Sequence, residues 1–277
     1  MRSPAPDMSV SSQKARVITV WSPAGAPGRT TIAASIAAEL AKAGNRTLII
    51  DADSYAPSIE FQFGIEQSHA GLAAVARAAI QERLSDESFN QLSVDFEFGK
   101  ISLKIITGLS MPDRWQEVGF DGIRSIIEYV ENHFDCIVID VASPLELEII
   151  NEKSLVQRNS MTVAAIRAAT HVVAVCGAEA VDVHRFVWEY QQLKALEFTG
   201  ELLVLINRLR TATLGRSAAK QIAETIQRLT GCQAQDFIDF DQAAADRAKL
   251  DGVPLVLAGR NSSARSVISK FVLTKLV

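Results

Sequence analysis

Short and almost uninterrupted apolar runs recur along the chain, with segments of helical periodicity between them. Strands as apolar as these are buried on both faces, which is typical of a parallel sheet covered by helices. The pattern predicts strands over residues 17–21, 47–51, 101–106, 136–140, 172–176 and 202–207, and helices over 32–41, 72–84, 120–133, 183–196 and 217–229. We therefore expect an α/β fold: a single doubly wound, mostly parallel sheet flanked by helices.

The length of the chain favours one domain. Its 277 residues are 48% hydrophobic and 22% charged, which is ordinary for a protein that buries a large core. Residues 1–14 are rich in Ser and Pro and are predicted to form a disordered lead-in. No linker or internal repeat divides the remainder, so one domain is expected over residues 15–277.

The net charge and the distribution of cysteine and histidine exclude several classes of protein. A net charge of −4 supplies no global basic field for nucleic acid or membrane. The three cysteines and four histidines are scattered, without the spacing of a disulfide framework or a metal site. The first residues lack the apolar core of a signal sequence, and no run is long enough to cross a bilayer. Together these features predict a cytoplasmic protein.

A loop of small residues, 22–31, joins the first predicted strand to an Ala-rich helix. Strand, loop and helix in this order form the context of a phosphate-binding P-loop, because small residues let backbone N–H groups approach phosphates at a helix N-terminus. The hydroxyl of Thr30 at the end of the loop would then bind Mg²⁺. Two positions depart from G-x-x-x-x-G-K-[ST]: Pro23 replaces the first Gly, and Arg29 replaces the Lys.

Carboxylates follow two further predicted strands. Asp51 and Asp53 end the second strand, where one would hold a water of the Mg²⁺ shell and the other would orient an attacking water. Both are equally well interpreted as a helix N-cap and a turn residue. Asp140 follows four apolar residues in the manner of a Walker B carboxylate. Taken alone it would be a solvated strand end, but the joint occurrence of the three motifs favours a nucleotide site.

With these motifs the chain resembles the ParA/MinD family of P-loop ATPases, whose deviant Walker A loop reads K-G-G-x-G-K-[ST]-T. Residues 24–31 are similar to that loop, residues 51–53 to its D-x-D, and residues 134–140 to its Walker B strand. Asn207 and Arg208 resemble the adenine-contacting N-R of the family, and Asp241 its base-proximal Asp. The resemblance runs from residue 17 onward and is greatest to an actinobacterial subgroup named for chromosome partitioning or septum-site placement, with similar relatives that position pilus machinery.

The resemblance implies ATP and Mg²⁺ as cofactors in a ParA/MinD-like nucleotide-binding domain over residues 15–277. It also implies a homodimer that responds to ATP or ADP, and a protein partner in a positioning system. The implied phosphate ligands are Gly25, Ala26, Pro27, Gly28, Arg29, Thr30 and Thr31, the implied base contacts are Asn207, Arg208 and Asp241, and the implied Mg²⁺ ligands are Thr30, Asp51 and Asp140. Asp53 and Arg29 are the implied catalytic residues.

The two lysines of the family loop are both replaced, at Ala24 and at Arg29. The family lysine at the first position reaches the partner's phosphates across a dimer, and the second contacts the β and γ phosphates. Because a guanidinium is not interchangeable with an ammonium, nucleotide binding is expected to survive while hydrolysis is slow or absent. Arg158 is a candidate for a residue that compensates from another chain.

Rival interpretations remain open at this point. One is an active ATPase that cycles between membrane or nucleoid and cytoplasm, and another is a pseudo-ATPase scaffold that works without nucleotide. A dehydrogenase is less supported, because no G-x-G-x-x-G follows the first strand. The amphipathic segment 264–277 is either a membrane-binding helix at the inner membrane surface or the last core helix, and the core helix is favoured. The basic residues between Arg208 and Lys249 are interpreted as scattered solvated charge rather than as a surface for DNA backbone.

Overall fold

The computed structural model describes residues 14–25, 27–66, 71–146, 157–211, 215, 217–258 and 261–277. The strands are β1 Arg16–Trp21, β2 Thr47–Ala52, β3 Val94–Phe98, β4 Ile101–Ile106, β5 Cys136–Val141, β6 His171–Gly177, β7 Glu201–Leu209 and β8 Ala234–Asp239. The helices are α1 Arg29–Lys42, α2 Ile59–Gln62, α3 Gly71–Ile80, α4 Asp86–Leu92, α5 Gly119–Val130, α6 Ser160–Ala168, α7 Ala180–Ala195, α8 Ala218–Thr230, α9 Gln242–Asp251, α10 Leu255–Ala258 and α11 Ser263–Lys275. A 3₁₀ helix, Pro112–Glu117, precedes α5.

The eight strands form one sheet in the order β3-β4-β2-β5-β1-β6-β7-β8. Every neighbouring pair is parallel except β3 and β4, which form an antiparallel hairpin at one edge. The predicted α/β class with a single, mostly parallel sheet is therefore confirmed. The sequence pattern did not indicate β3 or β8, which lie at the two edges and are only partly buried.

Two helical layers cover the sheet. On one face, α3 to α8 pack over alternate strand residues such as Val17 and Trp21. On the other face, α1, α2, α9, α10 and α11 pack over the intervening residues, which include Ile18 and Val20. This alternation follows from the pleat, which directs successive side chains of a strand to opposite faces. Burial on both faces explains why the central strands are mostly apolar.

The last helix, α11, belongs to the core. Ile268, Phe271 and Val272 are at most 1% exposed and pack into the layer that contains α1. The prediction of a core helix in this segment is confirmed. Within the described residues, every helix is too short or too polar to span a bilayer. The disordered lead-in predicted for residues 1–14 lies outside the described residues except for Lys14.

Candidate functional site

Three adjacent strands in the centre of the sheet have their carboxyl ends side by side. β1 runs into the loop at 22–28, and it lies beside β5, which in turn lies beside β2. In the register of the sheet, Val20 is opposite Asp140, and Asp140 is opposite Asp51. The parallel arrangement therefore brings the loop and the carboxylates of two other strands together, at the edge where ligands of such sheets bind.

The loop after β1 takes a conformation that favours glycine. Gly25 has φ +118° and Gly28 has φ +92°, both in the left-handed region. Helix α1 then begins at Arg29, and no side chain among the described residues caps its N-terminus, so its first-turn N–H groups are available to an anion. Pro27 is held by the side chain of Asn207, whose Nδ2 donates to the Pro27 carbonyl at 2.6 Å. Ala26, an expected phosphate contact, lies outside the described residues.

Arg29 lies at the centre of the site, and its side chain is only 11% exposed. Its Nη2 donates to Oδ2 of Asp53, and its Nε donates to Oδ1 of Asp140 at 3.1 Å. Its Nη1 donates to the hydroxyls of Ser143 at 2.9 Å and Ser22 at 3.2 Å. The guanidinium fork is thus engaged by two carboxylates and two hydroxyls, a pattern for which its planar set of donors is suited.

Asp51 and Asp53 organise the segment that follows β2. Oδ2 of Asp51 accepts from the N–H groups of Ser58 at 2.7 Å and Ile59 at 2.9 Å, and Oδ1 accepts from Asp53 at 3.1 Å. Oδ1 of Asp53 accepts from the N–H groups of Tyr55 and Ala56. Burial raises the pKa of the Asp51 carboxyl, and the nearby Asp140 carboxylate raises it further. Asp51 and Asp53 therefore hold the turn after β2 and also lie in the candidate site.

Asp140 carries the atom that best fits a metal ion. The residue is fully buried, and its Oδ2 has no hydrogen-bond partner among the described residues. Burial raises the pKa of this carboxyl, while Arg29 and the hydroxyl of Thr30 lower it in part. The Thr30 hydroxyl also lies 3.4 Å from Oγ of Ser58. A buried, unpaired carboxylate oxygen beside a threonine hydroxyl matches the oxygen ligands that Mg²⁺ prefers. No group of three His, Cys, Asp or Glu side chains in the described part has a metal-binding arrangement.

A cleft of about 130 Å³ adjoins the loop on the side of β7 and β8. Five of the expected nucleotide contacts line it together: Gly28, Thr31, Asn207, Arg208 and Asp241. The structure therefore brings the last three of these, which are distant in sequence, next to the loop. In addition, the Oδ1 atom of Asp241 accepts from the N–H of Ala244 at 3.0 Å and caps α9. A larger and more apolar cavity of about 390 Å³ lies between α7 and α8, and it is lined by none of the expected site residues that the structure describes.

Helix α7 contacts the loop at Ala24, where the family lysine is missing. Oε1 of Glu189 accepts from the Ala24 N–H at 3.2 Å, and Nη1 of Arg185 donates to the Ala24 carbonyl at 3.4 Å. The same Arg185 nitrogen lies 2.5 Å from the point where a Cβ on Gly25 would be. Sequence reasoning missed both charged residues, because nothing in the helix pattern of α7 shows which turn faces the loop.

Arg158 is engaged within its own chain. Its Nε and Nη2 donate to the carbonyl of Ser54, and its guanidinium lies 3.8 Å from the ring centroid of Tyr55. The Tyr55 hydroxyl in turn donates to Oδ1 of Asn159. These contacts clamp the segment after Asp53. They give Arg158 a structural task at this site, whatever it does toward a second molecule.

The sequence is similar to proteins of known family. A protein-family model described as an AAA domain (AAA_31) matches residues 15–183. The septum site-determining protein MinD of Synechocystis sp. is 24% identical over 199 residues, which make up 70% of this chain. The aligned stretch spans 65% of that protein's own length, slightly less than two thirds.

Solved structures share the fold. The ParA family ATPase of Chlorobium tepidum superposes with a TM-score of 0.76 at 17% identity, over 94% of this chain and 99% of that one. The MinD protein of Pyrococcus horikoshii, solved with Mg-ADP, gives a TM-score of 0.71 at 19% identity, over 95% and 97% of the two chains. Because the family model covers more than half of the sequence, the chain belongs to the AAA_31 family of AAA domains, as a P-loop ATPase homologue of the ParA/MinD type.

Proposed function

We propose that this protein is a nucleotide-dependent switch of the ParA/MinD kind, which binds ATP or ADP and hydrolyses ATP slowly or not at all. The observation that carries the proposal is the position of Arg29. It ends a loop that contains two glycines in the left-handed region and leads into a helix N-terminus, yet its guanidinium is held by Asp53 and Asp140. The loop supports binding, and the engagement of the charged side chain supports slow chemistry.

The proposed roles follow the geometry. Backbone N–H groups from Gly25 to Thr30 would hold the phosphates, with the dipole of α1 favouring their charge. Thr30 and the unpaired Oδ2 of Asp140 would bind Mg²⁺, which supplies positive charge to the phosphates when it is bound. Oδ1 of Asp51 accepts from one N–H group in the described part of the chain, so it has a lone pair for a water of that ion.

The nucleoside would enter the cleft beside Asn207, Arg208 and Asp241, which also has Thr31 in its wall. The Arg208 guanidinium lies 3.9 Å from the Cβ position of Gly28, so it adjoins the loop and the cleft at once. The location of these residues supports the base contacts that the family resemblance implies.

Slow hydrolysis is proposed because the catalytic groups are paired with each other. Asp53 would orient an attacking water, but its Oδ2 accepts from Arg29 and its Oδ1 accepts from two backbone N–H groups. Loss of one charge that acts on a transition state reduces a rate by roughly 10²–10³. Ala24 supplies no charge at the position of the other family lysine.

The proposed partners are a second copy of this chain and a protein of a positioning system, with chromosome, septum or pilus machinery as the cargo. Nucleotide occupancy would favour the dimer. Support comes from relatives named for septum-site determination and from the ParA family ATPase fold. The proposed location is the cytoplasm, with the inner membrane surface as the alternative. The second candidate function, a scaffold that needs no nucleotide, is favoured by the same engagement of Arg29.

Calorimetric titration with ADP and ATP in Mg²⁺, combined with sedimentation of the same samples, tests the proposal. Micromolar binding with a shift from monomer to dimer supports the switch. Absence of binding at millimolar nucleotide would leave the scaffold. Steady-state phosphate release as fast as that of a relative with both lysines would contradict the slow chemistry.

A further inference from the structure

The charge balance at the site differs from that of a lysine-containing P-loop. Three carboxylates, Asp51, Asp53 and Asp140, lie close enough for their charges to interact, and all are at least 95% buried. In the part of the chain that the structure describes, Arg29 is the cation that pairs with them, and it contacts two of the three. Buried carboxyl groups need either positive charge from a side chain or an ion, or a proton that neutralises them.

Arg29 meets that requirement with almost all of its donors. A guanidinium has five N–H groups. Nε, both hydrogens of Nη1 and one of Nη2 are used by Asp140, Ser143, Ser22 and Asp53. A lysine ammonium has three donors at a single point and cannot bridge two carboxylates and two hydroxyls in this way.

The same carboxylate is the one that fits a metal ion. Arg29 donates to Oδ1 of Asp140, whereas Oδ2 has no partner among the described residues and is the oxygen proposed above for Mg²⁺. The two oxygens of one carboxylate are about 2.2 Å apart in covalent geometry, so an ion on Oδ2 would face the guanidinium across a few ångströms. Like charges at that separation in a buried site oppose each other.

We propose that Arg29 supplies the positive charge that Asp53 and Asp140 share, so that this protein binds nucleotide without requiring Mg²⁺. The proposal rests on the nucleotide binding proposed above and names its ion requirement. Among the described contacts, one Nη2 hydrogen of Arg29 and the first N–H groups of α1 are left to donate to a phosphate, and the positive charge is already part of the chain.

The test is calorimetric titration of the full chain with ADP, once with millimolar Mg²⁺ and once with EDTA in its place. In a site where ion and nucleotide are coupled, the two dissociation constants differ by about 5- to 150-fold. For the native protein we expect a difference of less than about 3-fold, below the range of such coupling. Tight ADP binding in Mg²⁺ that is lost in EDTA would overturn the proposal.

Two variants show whether Arg29 is responsible. Arg29→Lys removes the guanidinium that bonds to both Asp53 and Asp140. We expect the ADP dissociation constant of this variant to be about 10-fold or more higher in EDTA than in Mg²⁺. Ser143→Ala removes one Arg29 partner but leaves both ion pairs, so we expect it to remain as insensitive to Mg²⁺ as the native chain. An Arg29→Lys chain as insensitive as the native chain would contradict the assignment to Arg29.

If circular dichroism shows that Arg29→Lys does not fold, the comparison of ADP binding by the native chain in Mg²⁺ and in EDTA still tests the proposal. Failure of the underlying function has a different signature. Suppose that ADP produces no heat and no shift in melting temperature, in either buffer and in every folded variant. The chain would then bind no nucleotide, and both the proposed function and the role assigned to Arg29 would be overturned. Binding that depends on Mg²⁺ in the native chain overturns the ion assignment alone.

Discussion

The side-chain amide of Asn207 donates to the backbone carbonyl of Pro27 at 2.6 Å and joins β7 to the phosphate-binding loop. The bond is buried, and the two residues are 180 positions apart in the chain. The carbonyl of Asn207 also accepts from the N–H of Ala178 at 3.0 Å. One residue therefore connects the loop, the late strand and the turn before α7.

Replacement of Asn207 by Ala should loosen the loop. The Pro27 carbonyl would be left buried without its donor, which costs about 1–3 kcal/mol of unfolding free energy. We expect that loss in urea unfolding, together with weaker ADP binding. The control is Gln227→Ala, which also removes an amide-to-carbonyl bond, to Gly231, but at an exposed position. Its cost should be about 0.5 kcal/mol or less. Equal losses of unfolding free energy in the two variants would show that the buried Asn207 bond stabilises the fold no more than an exposed one.

Gly28 and Gly44 form a matched pair for testing the loop. Their φ angles are +92° and +91°, so an Ala side chain is strained to the same degree at both. At Gly44 no atom of the described residues lies within 4 Å of the added Cβ, but at Gly28 the added Cβ would lie 2.7 Å from Nδ2 of Asn207. Gly44→Ala should lose about 1 kcal/mol from strain alone. Gly28→Ala should lose more stability and should also lose ADP binding in calorimetry. If both variants bind ADP like the native chain, the loop does not hold the phosphates.

The central part of the site could be predicted from the sequence because it follows from the sheet. β1, β2 and β5 are mostly apolar, which predicts that they are central and parallel and that their carboxyl ends meet. Asp51 and Asp140 are opposite each other in register for that reason. Their proximity follows from the strand order and register alone, without knowledge of any side-chain contact.

The partners of Arg29 could not be predicted in the same way. Ser22 and Ser143 lie in loops after different strands, and no periodicity indicates which hydroxyl a guanidinium will reach. The predicted helix 72–84 was also too long. α3 ends at Ile80 because Glu82 has φ +54° and Ser85 begins α4 with a capping box, and both features depend on local hydrogen bonds. The edge strand β8 mixes polar and half-buried residues, so its pattern resembled a loop.

Restoring both family lysines should accelerate the chemistry. In a chain with Ala24→Lys and Arg29→Lys, Asp53 would lose its guanidinium partner and an exposed ammonium would stand at position 24. We expect phosphate release to rise by about 10²–10³-fold, the range attributed to one charge on the transition state. The backbone bonds of Ala24 to Glu189 and Arg185 do not involve its side chain and should persist. Coupled-enzyme detection of phosphate measures the rate.

The control for the charge at position 24 is Ala24→Gln combined with Arg29→Lys. It adds a long polar side chain without the ammonium, so its rate should remain below that of the double-lysine chain. A rate that equals it would assign the gain to Arg29 alone. No gain in either chain would contradict the interpretation that the lysine replacements slow hydrolysis.

Two hydrophobic residues on α11 separate core packing from membrane binding. Phe271 is fully buried against the layer that contains α1, and Leu273, two positions later, is 56% exposed. Phe271→Ala should cost about 3–5 kcal/mol of unfolding free energy, since it opens a cavity in the core, whereas Leu273→Ala should cost about 0.5 kcal/mol or less. Because the apolar face of α11 is already used in the fold, neither the native chain nor the Leu273→Ala variant should cosediment with anionic vesicles. Native cosedimentation that Leu273→Ala abolishes would instead make the exposed side of α11 a membrane contact, and the helix would then serve the core and the bilayer with opposite faces.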